Sequence, residues 1–248
     1  MLVKTEAIVL HALKYGEGRL IVDMFTREQG RLSFIVPLPK SERAKIKKQY
    51  LQPLTLLTLE ADVRQQVQLQ KLRDAALLSP LSSLLSDPKK LSIGLFVSEF
   101  LYHALKGEQR NEPLFDYVLS SLQWLDGAAA PTESSGKAGF ANFHLVFLMR
   151  LTRFLGFYPN LEDEGEYFDL RGATFCSLPP VHRDFLLPQE AGRIRLLMRM
   201  DYTTMHLFRL SRSERNRILE LLLLYYRLHL PAFPEMRSVS VLQELFSG

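Results

Sequence analysis

"RLIVDMFTREQGRLSFIVP", residues 19–37, decides the fold of the N-terminal part of this chain. Two runs rich in apolar and β-branched residues, 19–26 and 31–37, flank the polar stretch REQG. Gly30 ends that stretch, and glycine readily takes the left-handed conformation that closes a short turn. The stretch therefore predicts a β-hairpin.

Three more segments of the first 80 residues have strand character. Val3–Leu13 and Leu54–Glu60 are apolar-rich, and in QQVQLQ (65–70) Val67 and Leu69 alternate with glutamines, which predicts a strand with one buried and one wet face. Five short antiparallel strands cannot bury both faces of a flat sheet, so closure into a small barrel of the OB type is expected.

From about residue 80 the apolar period becomes helical. Ser86 or Asp87, Pro88 and Gly107 bound one predicted helix, and Pro113 and Gly127 mark the next. Further helices are expected at 140–156, at EAGRIRLLMRMD (190–201) and after Ser211, which stands at capping-box spacing from Glu214. The predicted fold class is α+β and multi-domain: an OB-type barrel at 1–78, then an α-helical domain at 79–248 with an irregular insert near 157–189 that contains a short hairpin.

Positive charge is concentrated in the first third of the chain. The 248 residues carry a formal net charge of +4, but residues 1–80 hold 13 Lys and Arg against 8 Asp and Glu, and the rest hold 18 against 19. Such an asymmetry suggests a polyanionic partner for the N-terminal domain. The single cysteine, Cys176, fits a reducing compartment, and no segment has the pattern of a signal peptide or a membrane span. We expect a soluble cytoplasmic protein.

Catalytic motifs are missing from the sequence. GEG at 16–18 lacks the third glycine of a dinucleotide loop, and HRD at 182–184 has no accompanying kinase motifs. Two potential ligands, Cys176 and His182, do not make a tetrahedral metal site. We therefore expect no enzyme activity, no cofactor and no metal.

The basic segment, PKSERAKIKKQY (39–50), is the strongest candidate for binding a polyanion. It carries five cations against one acidic residue, Glu42. Small barrels of this type bind single strands by placing cations along the phosphates and aromatic side chains against the bases. The candidate contacts are Lys40, Arg43, Lys45, Lys47 and Lys48, with Arg27 and Arg31 as weaker candidates and Tyr15 and Tyr50 as stacking residues. A solvated loop is the alternative interpretation.

The N-terminal segment resembles the OB domain of the RecO family of bacterial recombination mediators. The resemblance rests on Tyr15-Gly16-Glu17, on Phe25-Thr26 with Gly30 and Leu32-Ser33-Phe34, and on Leu51-Gln52-Pro53-Leu54. Further similarity lies in RFLGFYPN (153–160), YFDLRGATFC (167–176) and RSVSVLQEL (237–245). Together these pieces span most of the chain.

The resemblance implies a protein of DNA repair that is not an enzyme. Such a protein binds single- and double-stranded DNA, anneals complementary strands, and with RecR assists the loading of RecA onto strands coated by single-stranded-DNA-binding protein (SSB). It would be cytoplasmic, and associated with the nucleoid when bound to DNA. The alternative is a protein-interaction scaffold whose barrel binds a protein instead of DNA.

Two features of the C-terminal part stay open. Many RecO proteins carry a four-cysteine zinc site there, and of its cysteines only Cys176 is present, so the zinc is expected to be lost and the region to be held by apolar packing. Arg193, Arg195 and Arg199 form a second cationic cluster, in which Arg195 and Arg199 have helical i, i+4 spacing. The cluster is interpreted as an extension of the DNA-binding surface, a receiver for an acidic partner, or a solvated helix face.

Overall fold

The first five strands close into a barrel. The computed structural model describes residues 1–38, 45–64, 66–128, 139–162 and 164–244. The strands pair in the order β1-β2-β3-β5-β4, and only β3 and β5 run parallel. Their bounds are β1 Leu2–Lys14, β2 Arg19–Thr26, β3 Gly30–Pro37, β4 Leu56–Asp62 and β5 Leu69–Ser79.

Alternating side chains of these strands fill the barrel. Val22 and Met24 of β2, Phe34 of β3 and Leu57 and Leu59 of β4 belong to one buried apolar cluster. The predicted hairpin is confirmed, since Thr26 pairs with Gly30 and Gly30 has a φ of 71°. The predicted five-stranded barrel is thus the observed fold of this region.

The prediction for QQVQLQ was wrong in its bounds and its faces. The fifth strand begins only at Leu69, Val67 is 42% exposed, and Gln70 is 4% exposed. The Gln70 side chain accepts a hydrogen bond from the Arg64 backbone N–H at 2.9 Å and donates to the Arg64 carbonyl at 3.0 Å. Because these bonds satisfy the amide, a glutamine lies inside where alternation predicted an exposed one.

Three helices follow the barrel: α1 Ser82–Ser86, α2 Pro88–Ala104 and α3 Glu112–Gly127. Of the two predicted caps of α2, Asp87 is the one observed, accepting from the backbone N–H groups of Lys89 and Lys90. Helix α2 lies against β1, where the Ser98 hydroxyl donates to the Leu10 carbonyl at 2.7 Å. Phe115 of α3 packs on Phe25 with ring centroids 5.6 Å apart. Helices α2 and α3 therefore cover part of the outer face of the barrel.

The C-terminal part combines helices with a small sheet. The helices are α4 Phe143–Leu155, α5 Pro188–Arg199, α6 Arg212–His229 and α7 Ser238–Glu244, and the strands are β6 Tyr167–Asp169, β7 Thr174–Cys176 and β8 Phe185–Leu186. The predicted capping box of α6 is present at Ser211 and Glu214. The insert that the sequence left without helices holds the three-stranded sheet β7-β6-β8.

Contacts divide the chain into two compact units. Unit 1 comprises Met1–Asp126 and Met236–Leu242, and unit 2 comprises Gly127–Glu235 and Gln243–Gly248. Unit 1 therefore holds the barrel together with α1, α2 and most of α3, whereas the sequence placed a domain boundary at residue 78. That boundary stays a prediction. In the part of the chain that the structure describes, every helix is too short or too polar to cross a membrane.

Candidate nucleic-acid interface

The basic segment connects β3 to β4 at one end of the barrel. Strand pairing places the turn between β1 and β2, the end of β3 and the start of β4 at this end, which we call the basic end. The Leu38 backbone N–H donates to the Gly18 carbonyl at 2.8 Å, so the chain lies beside the β1–β2 turn at the residue before the basic segment. Lys40 and Arg43 lie outside the described residues.

Three cations of the basic segment are exposed in the structure. The Lys45 ammonium lies 3.1 Å from a carboxylate oxygen of Asp74, with 68% of the lysine side chain exposed. Lys47 lies over the ring of Tyr50 at 5.8 Å from its centroid, and Lys48 begins the 3-10 helix Lys48–Leu51. Exposed pairs of this kind contribute at most about 1 kcal/mol, so these charges remain available to a stronger anion.

The two candidate tyrosines differ in their surroundings. Tyr50 is half-buried against the barrel core and lines a cavity of about 210 Å³ with Leu54, Leu77 and Leu85 among its walls. Tyr15 lies in the β1–β2 turn and is exposed. The structure therefore places an aromatic ring, an apolar cavity and a cation together at Tyr50, which is the arrangement that captures an unpaired base.

Arg27 has a structural role that the sequence did not reveal. Its guanidinium bonds Glu6 at 2.8 Å and Asp116 at 2.6 Å and lies over the Phe115 ring at 4.9 Å. Burial lowers the pKa of Arg27, and the two carboxylates raise it by more. Its charge is already matched by two acidic partners, so it is not among the proposed DNA contacts.

Arg31 is enclosed more completely, with 11% of its side chain exposed. It pairs with Asp23 at 3.3 Å, donates to the Tyr102 carbonyl and lies over the Tyr102 ring at 4.5 Å. These contacts fix α2 to the barrel. The geometry argues against Arg31 as a primary phosphate contact, because its donors and its charge are used internally.

The arginines of α5 do not form one exposed cluster. Arg195 lies 3.7 Å from the centroid of the Phe175 ring and donates to the Gly165 carbonyl at 2.8 Å, so it packs on the small sheet. Arg193 is half-buried and Arg199 is exposed. Of the three arginines, only Arg199 is therefore exposed, and Arg195 is engaged with the small sheet.

Cys176 lies on β7 and is half-buried. Burial raises the pKa of the Cys176 thiol, and the Asp169 carboxylate raises it further, so the thiol stays protonated near neutral pH. His182 pairs with Asp169 at 3.3 Å. Among the residues that the structure describes, no three His, Cys, Asp or Glu side chains are grouped as metal ligands.

Sequence reasoning missed two exposed cations of unit 1, Arg64 and Lys106. They line one groove of the barrel although they are far apart along the chain. A search for runs of like charge cannot find such a pair. What the sequence did offer was their position along the chain, because each lies in a connection, Arg64 just after the end of β4 and Lys106 just after the end of α2.

Comparison with known proteins identifies relatives over the whole length of the chain. The family model described as Recombination protein O N terminal matches residues 1–81, and Recombination protein O C terminal matches residues 85–238. A protein of Phocaeicola vulgatus named DNA repair protein RecO is 51% identical, with all of both chains covered. Proteins of the same name from Bacteroides fragilis and Flavobacterium psychrophilum are 50% and 33% identical, with 99% or more of each chain covered.

Proposed function

The chain belongs to the RecO family of DNA repair proteins, and from this premise we propose that it is a DNA-binding recombination mediator without catalytic activity. In this proposal it binds single- and double-stranded DNA and anneals complementary strands. With RecR it assists RecA loading onto strands coated by SSB, so RecA is an indirect partner. It acts in the cytoplasm, at the nucleoid when bound to DNA.

The observation that carries the proposal is the group of exposed lysines at the basic end. Lys45, Lys47 and Lys48 follow one another on one connection of a closed OB-type barrel, beside Tyr50 and its cavity. Cations that replace the counterions of a DNA strand release those ions, and the gain in entropy drives binding without reading the sequence. The same neutralisation reduces the repulsion between two strands that must anneal.

The cavity at Tyr50 supports single strands as one ligand. Leu77 and Leu85 form an apolar wall that is exposed to water in the free protein. A base that covers this wall removes apolar surface from water, and this burial favours binding. The Lys47 ammonium lies near the outer limit of a cation–π contact and can turn to a phosphate, which uncovers the ring of Tyr50 for stacking. A duplex offers no unpaired base, so this contact favours single strands.

Charge reversal of the three lysines tests the proposal. The variant Lys45→Glu/Lys47→Glu/Lys48→Glu is expected to bind single-stranded DNA more weakly. The slope of log affinity against log salt should also flatten by about 2, because each lost phosphate contact removes about 0.7. The measurement is fluorescence anisotropy of a labelled oligonucleotide at several salt concentrations.

The matched control reverses three exposed cations elsewhere, Lys4→Glu/Lys89→Glu/Arg209→Glu, and changes the net charge by the same amount. The control is expected to keep most of the slope. An equal flattening of the salt slope in both variants would mean that DNA binding depends only on the net charge of the protein. An unchanged salt slope in the lysine variant would show that the basic segment is a solvated loop. Capture of a protein partner that survives nuclease treatment would then favour the scaffold function.

A further inference from the structure

The small sheet of unit 2 has one buried face and one half-exposed face. Each strand contributes one buried side chain to the first face, and these are Phe168, Phe175 and Leu186. On the other face, Tyr167 of β6 lies directly opposite Cys176 of β7, and both are half-buried. The Tyr167 ring meets the ring of Phe185 edge-on, with centroids 6.0 Å apart. The second face therefore presents aromatic surface that is partly open to water.

One end of this sheet carries exposed aliphatic side chains. Because the strands are antiparallel, the start of β6 and the ends of β7 and β8 meet at the same end. Leu187 directly follows β8 and is 60% exposed, and Leu178 follows β7 by two residues and is 78% exposed. Aliphatic side chains that stay exposed beside aromatic ones are typical of a surface that binds another molecule.

Acidic side chains lie at the same end of the sheet. Glu166 directly precedes β6, and Glu164 and Glu162 come shortly before it. All three glutamates are exposed, and none has an ion pair within the part of the chain that the structure describes. Residues 157–189 hold 6 Asp and Glu against 2 Lys and Arg, although the whole chain has a net charge of +4. We call the three glutamates, with Leu178 and Leu187, the acidic sheet end.

The backbone of the acidic stretch is fixed to its neighbours. The Ser177 hydroxyl donates to the Glu164 carbonyl at 3.1 Å, and the Arg195 guanidinium donates to the Gly165 carbonyl at 2.8 Å. A Cβ atom at Gly165 would collide with the backbone of Cys176, so the stretch passes directly beside β7. A surface that is already ordered loses little conformational entropy when a partner binds.

We propose that the acidic sheet end binds a segment of a partner protein in which lysines or arginines accompany an apolar side chain. The cations pair with the glutamates, and the apolar side chain covers Leu178 and Leu187, which gives the apolar centre and polar rim of a protein interface. Nucleic acid does not fit this surface, because carboxylates repel phosphates. Arg171, one of the two local cations, pairs with Asp184 and so does not neutralise the glutamates.

This inference is independent of the proposed DNA contacts. The acidic sheet end belongs to unit 2, whereas Lys45, Lys47 and Lys48 belong to unit 1. Failure of the DNA-binding proposal would therefore leave this one standing, and the reverse also holds. The partner is defined by its chemistry: complementary charge speeds its encounter with the surface and selects it over acidic proteins.

Fluorescence anisotropy of a short labelled peptide, in which lysines alternate with leucines, tests the charge contact. The variant Glu164→Lys/Glu166→Lys is expected to bind this peptide about 10-fold more weakly, because it loses two exposed ion pairs. The matched control, Glu17→Lys/Glu235→Lys, reverses two exposed glutamates elsewhere with the same change in net charge. Its affinity is expected to stay within about 2-fold of the unaltered chain at physiological salt. If charge reversal unfolds the protein, Glu164→Gln/Glu166→Gln removes the same pairs more mildly.

The apolar contact has its own variant and its own peptide. Leu178→Ser/Leu187→Ser keeps the charge and removes exposed apolar surface, and it is expected to weaken binding of the peptide by about 10-fold. A second peptide with serines in place of leucines should bind the unaltered chain as weakly as that variant binds the first peptide. Circular dichroism of each variant checks that the fold is kept.

Four outcomes would overturn the proposal. The first is no binding of the lysine–leucine peptide by the unaltered chain, and the second is an equal loss in the matched control. The third is equally tight binding of the serine peptide, which would reduce the surface to an unselective acidic patch. The fourth is self-association in sedimentation velocity that both Glu164→Lys/Glu166→Lys and the lysine triple variant abolish, which would assign the surface to a second copy of this chain.

Discussion

At the scale of single residues, Glu99 of α2 shows how one carboxylate can anchor a distant segment. It accepts hydrogen bonds from the backbone N–H groups of Arg237 at 2.9 Å and Ser238 at 2.8 Å, and from the Ser238 hydroxyl. Burial raises the pKa of Glu99, but these hydrogen bonds lower it by more, so the net pKa lies below the usual value. The carboxylate thus caps the start of α7.

Glu99→Gln is expected to lower the free energy of unfolding by about 1 kcal/mol at neutral pH, because an amide supplies only one accepting oxygen. A depressed folded-state pKa contributes stability that is present above the unfolded value of 4.5 and is lost as pH falls through the folded value. The difference in the free energy of unfolding between the unaltered protein and Glu99→Gln should therefore shrink as the pH falls below 4.5. Urea unfolding at several pH values measures it, with the exposed Glu17→Gln as control; a constant difference would contradict the cap.

The residues of the site could be predicted only where the signal is local. The run of cations at 39–50 is visible in the sequence, and Lys45, Lys47 and Lys48 of this run are exposed, as the proposed phosphate contacts require. Arg27 and Arg31 carry the same charge but find partners in Glu6, Asp116 and Tyr102. Those partners come from other elements, so the sequence alone cannot distinguish a structural arginine from a binding one.

At the scale of elements, the hairpin and the helix caps were predictable, whereas the bounds and faces of the fifth strand were not. Gly30 and Asp87 act through neighbours within a few residues. Strand β5 instead follows contacts with β4, whose register shifts between Glu60 and Ala61 and again between Leu56 and Leu57. Each shift exchanges inner and outer positions, so residues 69–79 show no simple alternation of polar and apolar side chains.

Gly30→Ala is expected to destabilise unit 1 strongly. Gly30 has a φ of 71°, and a Cβ atom there would lie 2.4 Å from backbone atoms of Glu108 and Gln109. The left-handed conformation alone costs an alanine about 1–2 kcal/mol, and the collision adds to it. Gly18→Ala is the control, since Gly18 has a φ of 78° but no atom within 4 Å of the added methyl. Urea unfolding should show the larger loss for Gly30→Ala, and equal losses would contradict the close approach.

At the scale of the whole molecule, positive charge and exposed cations coincide in the N-terminal part. The excess of 13 Lys and Arg over 8 Asp and Glu in residues 1–80 includes the basic segment and Arg64. The remaining 168 residues hold 18 Lys and Arg against 19 Asp and Glu. Among the arginines of α5 in that part, Arg195 is held over the Phe175 ring. Both family models match the chain, yet the excess of positive charge lies within the part that the N-terminal model matches, residues 1–81.

The last prediction concerns the second cationic cluster. Arg195 is held by Phe175 and Gly165, and Arg193 lies close enough to Glu214 to lower its pKa further, after the larger effect of the hydrogen bonds from Ser211. We therefore expect Arg193→Glu/Arg199→Glu to leave the salt slope on single-stranded DNA unchanged, while Lys45→Glu/Lys47→Glu, with the same change in charge, flattens it. Parallel anisotropy titrations measure both. A slope flattened by about 1.4 in the α5 variant would show that these two arginines contact phosphates, and that DNA binding extends to unit 2.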